Sequence, residues 1–195
     1  MSNSKRKEFM EKNKQQKGIN RVHLIFIAIV VLGGFGLWFM LSGSGEGERQ
    51  RLAGGNYFIG ESRDYQGQVI GMDIIEHQVA DGRISFPLSE VLDKELVYMV
   101  HRTRQGMEVP LMSYVSPEGR LVTAFAVCEP CLSLSFHMDG NELVCDSCGT
   151  RWHLNDLSGI AGGCLDYPPE EIPYQVQEGQ VLVELDLVEN WTPRV

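Results

Sequence analysis

The stretch "CEPCLSLSFHMDGNELVCDSCGTRW", residues 128–152, holds two C-x-x-C pairs with thirteen residues between them. A C-x-x-C pair at a tight turn aims two sulfurs at one point in space. Between the pairs, "LSLSFHM" alternates polar and apolar residues and then meets Asp139-Gly140, a hairpin signal. The stretch therefore reads as a turn, a strand, a second turn, a strand and a third turn, with no helix in it.

Moving outward, the same short-strand grammar continues. "QVIGMDIIEH" (68–77), "GRISFPL" (82–88), "ELVYMVHR" (95–102), "VPLMSYV" (109–115) and "RLVTAFAV" (120–127) read as period-two segments separated by "DG", "QG" and "PEG" turns. "IPYQVQEGQVLVELDLVE" (172–189) supplies two further strands around Glu178-Gly179. "PLSEVLDKE", with Ser89 as its cap, is the one short helix expected. The expectation is an all-β or β-rich α+β domain over 56–195, built of small antiparallel sheets, without internal repeats. It carries apolar residues enough that a metal is not needed merely to fold it.

The beginning of the chain is different. Residues 24–41, "LIFIAIVVLGGFGLWFML", contain no charge, and with Val22 and His23 the run reaches twenty residues. At about 1.5 Å per residue such a helix crosses a hydrocarbon core of roughly 30 Å. Lys5, Arg6, Lys7, Lys12, Lys14, Lys17 and Arg21 precede it, against Glu8 and Glu11. That excess predicts a cytoplasmic basic tail over 1–21, a single transmembrane helix over 22–41 and a C-terminal domain outside the membrane. A cleaved signal peptide is the rival, but the apolar run is too long and its leader too extended. Residues 42–55, "SGSGEGERQRLAGG", read as a flexible linker.

Without residues 1–41, the 17 basic residues fall to 10 and the 26 acidic residues to 24, a net charge of −14. A domain of that sign has nothing with which to neutralise phosphates, so nucleic acid is excluded as a partner. G-x-S-x-G, H-E-x-x-H and phosphate-cradling glycine loops are all absent, so no hydrolytic chemistry is indicated.

All five cysteines fall within 128–164: Cys128, Cys131, Cys145, Cys148 and Cys164. Such clustering points to one local site instead of a disulfide framework. Four thiolates around a centre suit zinc, a single iron or an iron-sulfur cluster. Attached haem needs C-x-x-C-H, whereas Leu132 and Gly149 follow the pairs. Structural disulfides leave an odd cysteine, and i to i+3 pairing is strained. A thioredoxin-like dithiol at "CEPC" lacks the helix N-terminus that normally lowers such a thiol's pKa.

"DGNELVCDSCGTRWHLNDLSGIAGG" (139–163), with the closing hairpin after it, resembles the second cluster-binding loop of Rieske-type proteins. Cys148 stands where those proteins have histidine, and the first loop is C-x-x-C instead of C-x-H. Replacing neutral imidazoles by thiolates adds negative charge, so a cluster here is expected to have a low potential. "AFAVCEPC" (124–131), "DGNELVCDSCGTRW" (139–152) and "IAGGCLDYPP" (160–169) are together similar to the FtrD-like family of membrane iron-sulfur proteins, over roughly residues 80–187. Leu165-Asp166 replace that family's Asn-Pro, and Trp152-His153 its commoner Phe-Pro.

The resemblance implies a membrane-anchored iron-sulfur protein, associated in some members with iron transport, where electron supply to a permease is the proposed role. Its matching positions here are the five cysteines. Cys128, Cys131, Cys145 and Cys148 are the expected ligands of an iron-sulfur cluster, or alternatively of mononuclear iron or zinc. Cys164 is a fifth candidate, and His137 and His153 rank below it. His23, His77 and His101 read as structural. Trp152 is expected to shield the centre from water, and Arg151 and Asp146 to shape its field.

The expected function is extracytoplasmic electron transfer with a redox partner protein, a permease or a reductase of the same membrane. An electron carrier is a better description than an enzyme with its own substrate. A zinc-stabilised interaction module and a thiol-disulfide carrier are the two rivals.

Overall fold

The structure is a computed structural model in which residues 54–195 are described. The expected tail, membrane span and nearly all of the linker lie outside them. Among the described residues no helix is long and apolar enough to cross a membrane.

Among the described residues, thirteen strands form three sheets. The middle sheet has the order β2 (Asp73–Ile74), β5 (Leu96–Arg102), β6 (Glu108–Val115) and β7 (Leu121–Phe125). β5, β6 and β7 are antiparallel neighbours, whereas β2 joins the edge in parallel. A second sheet runs β12 (Tyr174–Gln177), β13 (Gln180–Glu184), β4 (Arg83–Pro87) and β3 (Gln78–Ala80). The third has the order β1 (Val69–Gly71), β8 (Phe136–Asp139), β9 (Glu142–Cys145), β10 (Arg151–His153) and β11 (Gly159–Ala161).

The expected alternation fails in the middle sheet, and the reason is physical. β7 is buried at every position and β6 at every position after Glu108, because both faces are covered. Val97, Met99, Leu111, Leu121 and Phe125 join one core with Ile84, Phe86, Val181 and Val183 of the second sheet. Leu96, Met112, Tyr114, Val122 and Ala124 point the other way and join Phe136, Met138, Leu143 and Trp152 of the third sheet. Each fully buried aliphatic or aromatic side chain contributes about 1.5–3 kcal/mol. Ser113, polar in the midst of this, bonds its hydroxyl to the Val122 carbonyl at 2.8 Å and lies 3.1 Å from the Thr123 hydroxyl.

Two short helices close the first core. α1 (Leu88–Lys94) begins after Pro87, not at Ser89, and has no side-chain cap. Proline supplies the cap position at φ −67°, and the Leu88 N–H bonds to the Gly179 carbonyl at 2.9 Å in the β12–β13 turn. α2 (Leu185–Glu189) occupies the end of the run expected to be strand. Its Leu185 and Val188 are buried one turn apart, which is helical spacing that a short window does not separate from alternation. Buried Arg120 makes a bidentate pair with Glu171 at 2.7 and 3.0 Å, tying the β6–β7 turn to the segment before β12.

Candidate metal centre

Cys128 and Cys131 lie on a 3-10 turn (Glu129–Cys131) that follows β7, and Cys145 and Cys148 on the turn between β9 and β10. The two turns are built alike. In the first, the Cys128 N–H donates to the Ser133 carbonyl at 2.8 Å; in the second, the Cys145 N–H donates to the Thr150 carbonyl at 3.0 Å. In both, the residue after the second cysteine is left-handed, Leu132 at φ 56° and Gly149 at φ 68°. Each loop thus reverses within six residues and holds its two sulfurs on the inside.

The strands bring the turns together. β8 and β9 pair Phe136 with Cys145, so the end of the first loop meets the start of the second. The Asp146 N–H completes this contact on the Ser135 carbonyl at 3.1 Å. The four pair sulfurs all lie within 4.8 Å of one another. The closest contacts cross between turns: Cys131 to Cys145 at 3.6 Å and Cys128 to Cys148 at 3.8 Å. A metal–sulfur bond of about 2.3 Å sets tetrahedral sulfurs about 3.8 Å apart. The donor set fits a thiophilic metal, with four soft donors converging and no basic side chain among them.

The sulfurs are unequal. Cys128 and Cys145 are buried, Cys131 is partly so, and Cys148 is exposed. Burial pushes the Cys128 thiol far up, helped by hydrogen bonds with the Cys131 and Cys164 thiols. Burial also raises the Cys145 thiol, against the Ser133 hydroxyl and the Cys148 and Ser147 N–H groups that donate to its sulfur. Burial works to raise Cys148 too, but the Thr150 hydroxyl and N–H and the Cys145 and Cys131 thiols outweigh it, bringing this thiol down to about 6. Metal binding must therefore expel protons from the buried pair, while Cys148 already offers a thiolate at neutral pH.

Cys164 lies outside the group of four. It is buried beside them, and its N–H donates to the Thr150 hydroxyl at 3.2 Å. Gly162 makes this approach feasible: a Cβ there would stand 2.5 Å from the Thr150 Cα, and its φ is 122°. His137 turns instead to Asp146, with Nδ1 at 2.5 Å from the carboxylate, whose other oxygen accepts from the Ser135 hydroxyl. His153 is exposed on β10, outside the group. Trp152 is fully buried in the core that contains Cys128, Cys145 and Cys164, and its ring stands 6.3 Å from that of Phe136. Arg151 is held by Asp139 at 2.9 Å and Glu142 at 2.7 Å across the β8–β9 hairpin.

Thr150 and Ser133 did not stand out in the sequence. Each is the closing residue of a six-residue turn, two positions beyond the second cysteine, and that offset is the one signal that marks them. Glu129, fully buried between two of the cysteines, was missed as well, because a charged residue inside C-x-x-C gives no hint of burial.

A comparison with curated proteins finds no match. Residues 91–195, more than half of the chain, match the family model described as "Membrane iron-sulfur containing protein FtrD-like". With four cysteines gathered as a metal site inside the matched region, the chain belongs to the FtrD-like family of membrane iron-sulfur containing proteins.

Proposed function

We propose that the domain is a membrane-tethered electron carrier whose Cys128, Cys131, Cys145 and Cys148 hold a single iron ion. The observation that carries this reading is the sulfur spacing, 3.6 and 3.8 Å for the closest pairs and at most 4.8 Å overall. One tetrahedral ion draws every pair to about 3.8 Å, and the two closest pairs already stand at that separation. A cluster of two irons sets the two sulfur pairs on different ions and widens the set by the ion-to-ion distance. The iron-sulfur description of the family favours iron over zinc at the same donors.

Iron held this way supplies one-electron chemistry, and the protein's part is to set potential and access. The N–H and hydroxyl donors on Cys145 and Cys148 stabilise the more negative, reduced centre. Trp152, Phe136 and Tyr114 keep water from its inner side. A rigid shell of this kind changes little between oxidation states. The reading includes an anchor at 22–41 with the N-terminus inside, and a redox partner in the same membrane, a permease or reductase of an iron-transport system. Cys164 is assigned no bond to the metal; it packs behind Cys128.

Anaerobic purification with metal and acid-labile sulfide analysis, followed by EPR, tests the proposal. The expected result is one iron per chain without sulfide and a high-spin ferric signal lost on reduction. Iron with equal sulfide replaces the single ion by a cluster, and zinc alone refutes electron transfer.

A further inference from the structure

Glu129 stands between two of the four cysteines, with 1 % of its side chain exposed. A buried carboxylate is costly unless paired. Its hydrogen-bond partner among the described residues is Arg194, which follows α2: the Arg194 Nε donates to both carboxylate oxygens at 2.9 Å, and the Arg194 backbone N–H to one of them at 3.1 Å.

The same guanidinium reaches the loop that carries Cys164. One of its terminal nitrogens donates to the Pro168 carbonyl at 2.6 Å, and its carbon lies 5.8 Å from the centre of the Tyr167 ring. Tyr167 is itself bonded to Cys164, its N–H donating to that carbonyl at 3.1 Å. The segment leading to Arg194 is seated by Trp191, stacked on Phe125 at 4.5 Å and bonded through Nε1 to Glu170 at 3.0 Å. Phe125 ends β7, the strand that delivers Cys128.

We propose that Arg194 is a positioning residue for the metal centre, clamping the Cys128–Cys131 turn through Glu129 and fastening that turn to the Cys164 loop. This rests on the reading that the four cysteines hold a metal. Without the guanidinium, the carboxylate is left uncompensated beside thiolates whose negative charge exceeds what one ion cancels. It then turns outward toward water and carries the turn with it, so Cys128 and Cys131 release metal faster. A neutral residue at 129 has no such drive, so the effect of losing Arg194 depends on the charge at Glu129. That dependence separates a clamp from ordinary loss of packing.

The test measures zinc release to a chromogenic chelator from the full chain in detergent, with cobalt spectra of the same variants. Arg194→Gln is expected to release zinc roughly tenfold faster, the lower end of what outer partners of metal ligands contribute, and to shift the cobalt–thiolate absorption. Arg194→Lys should fall between the two. The double variant Glu129→Gln with Arg194→Gln should return to within about threefold of the original rate, because no buried charge is left unpaired. Arg194 is partly exposed, so these variants should keep the far-UV dichroism of the parent. An unchanged release rate in Arg194→Gln, or a double variant no slower than the single one, overturns the proposal. Failure of the unsubstituted chain to bind cobalt or zinc overturns the metal reading, and this one with it.

Discussion

The twin turns permit a reciprocal experiment at their left-handed positions. Gly149 at φ 68° and Leu132 at φ 56° are structurally equivalent, yet one is the residue best suited to that conformation and the other is not. A left-handed conformation costs a residue with a Cβ about 1–2 kcal/mol. Replacing glycine restricts the unfolded chain and returns about 0.4–1 kcal/mol. No steric cost adds to this, since a Cβ at Gly149 meets nothing within 4 Å. Gly149→Ala should therefore destabilise by about 1 kcal/mol, or roughly 3–5 °C in Tm for a domain of this size. Leu132→Gly should do the reverse, raising Tm by up to about the same amount, because Leu132 is 72 % exposed and little burial is lost. Thermal unfolding by circular dichroism of the zinc-saturated variants measures both. A neutral Gly149→Ala together with a Leu132→Gly that loses more than about 1 kcal/mol would refute the equivalence of the turns and the strain assigned to Leu132.

Other expectations concern parts farther from the sulfurs. Arg120→Met leaves the buried Glu171 carboxylate without its partner, and should cost about 3–5 kcal/mol by urea denaturation; a loss under about 1 kcal/mol would show that Glu171 finds solvent. Stripping the metal with a chelator should loosen the core around Cys128 and Cys145 and spare the one between the middle and second sheets. In hydrogen exchange, β8–β10 amides should lose protection while β4 and β13 keep theirs, and uniform loss would contradict two separable cores. His77 is held below its usual pKa of 6.5, first by burial and then by His101, whose ring lies 5.7 Å away. The unfolded chain thus takes up this proton before the folded one does, so stability is full above pH 6.5 and falls as pH drops toward the folded value. His77→Gln should flatten that part of the stability–pH curve, and an unchanged slope would exclude His77 as its source.

Much of the site was legible because its grammar is local. A pair of cysteines three apart is enough to specify a turn, and the four pair cysteines do converge, while His137 is drawn off by Asp146 and His153 stays at the surface. What the sequence did not disclose is long-range. Strands β6 and β7 were found, but their supposed one-sided exposure was wrong, since a second covering sheet leaves no mark within "VPLMSYV" itself. β1 pairs with β8 across some seventy positions, Val69 with Asp139, and no local pattern announces that partnership. Arg194 and Glu129, 65 residues apart, are of the same kind. The Ser89 cap failed for a different reason: Pro87 takes the cap position and starts the helix two residues earlier, without needing a side-chain oxygen.

The uneven exposure of the four sulfurs bears on traffic. Cys128 and Cys145 back onto aromatic side chains and the middle sheet, so the centre opens to solvent on one side, that of the partly buried Cys131 and the exposed Cys148. Under the proposed electron transfer, one open side would make donor and acceptor compete for one landing place and be served by turns, the first departing before the second arrives. The pace of delivery would then be governed by how quickly spent partners leave, and a tether to the membrane would help by keeping the next one close at hand.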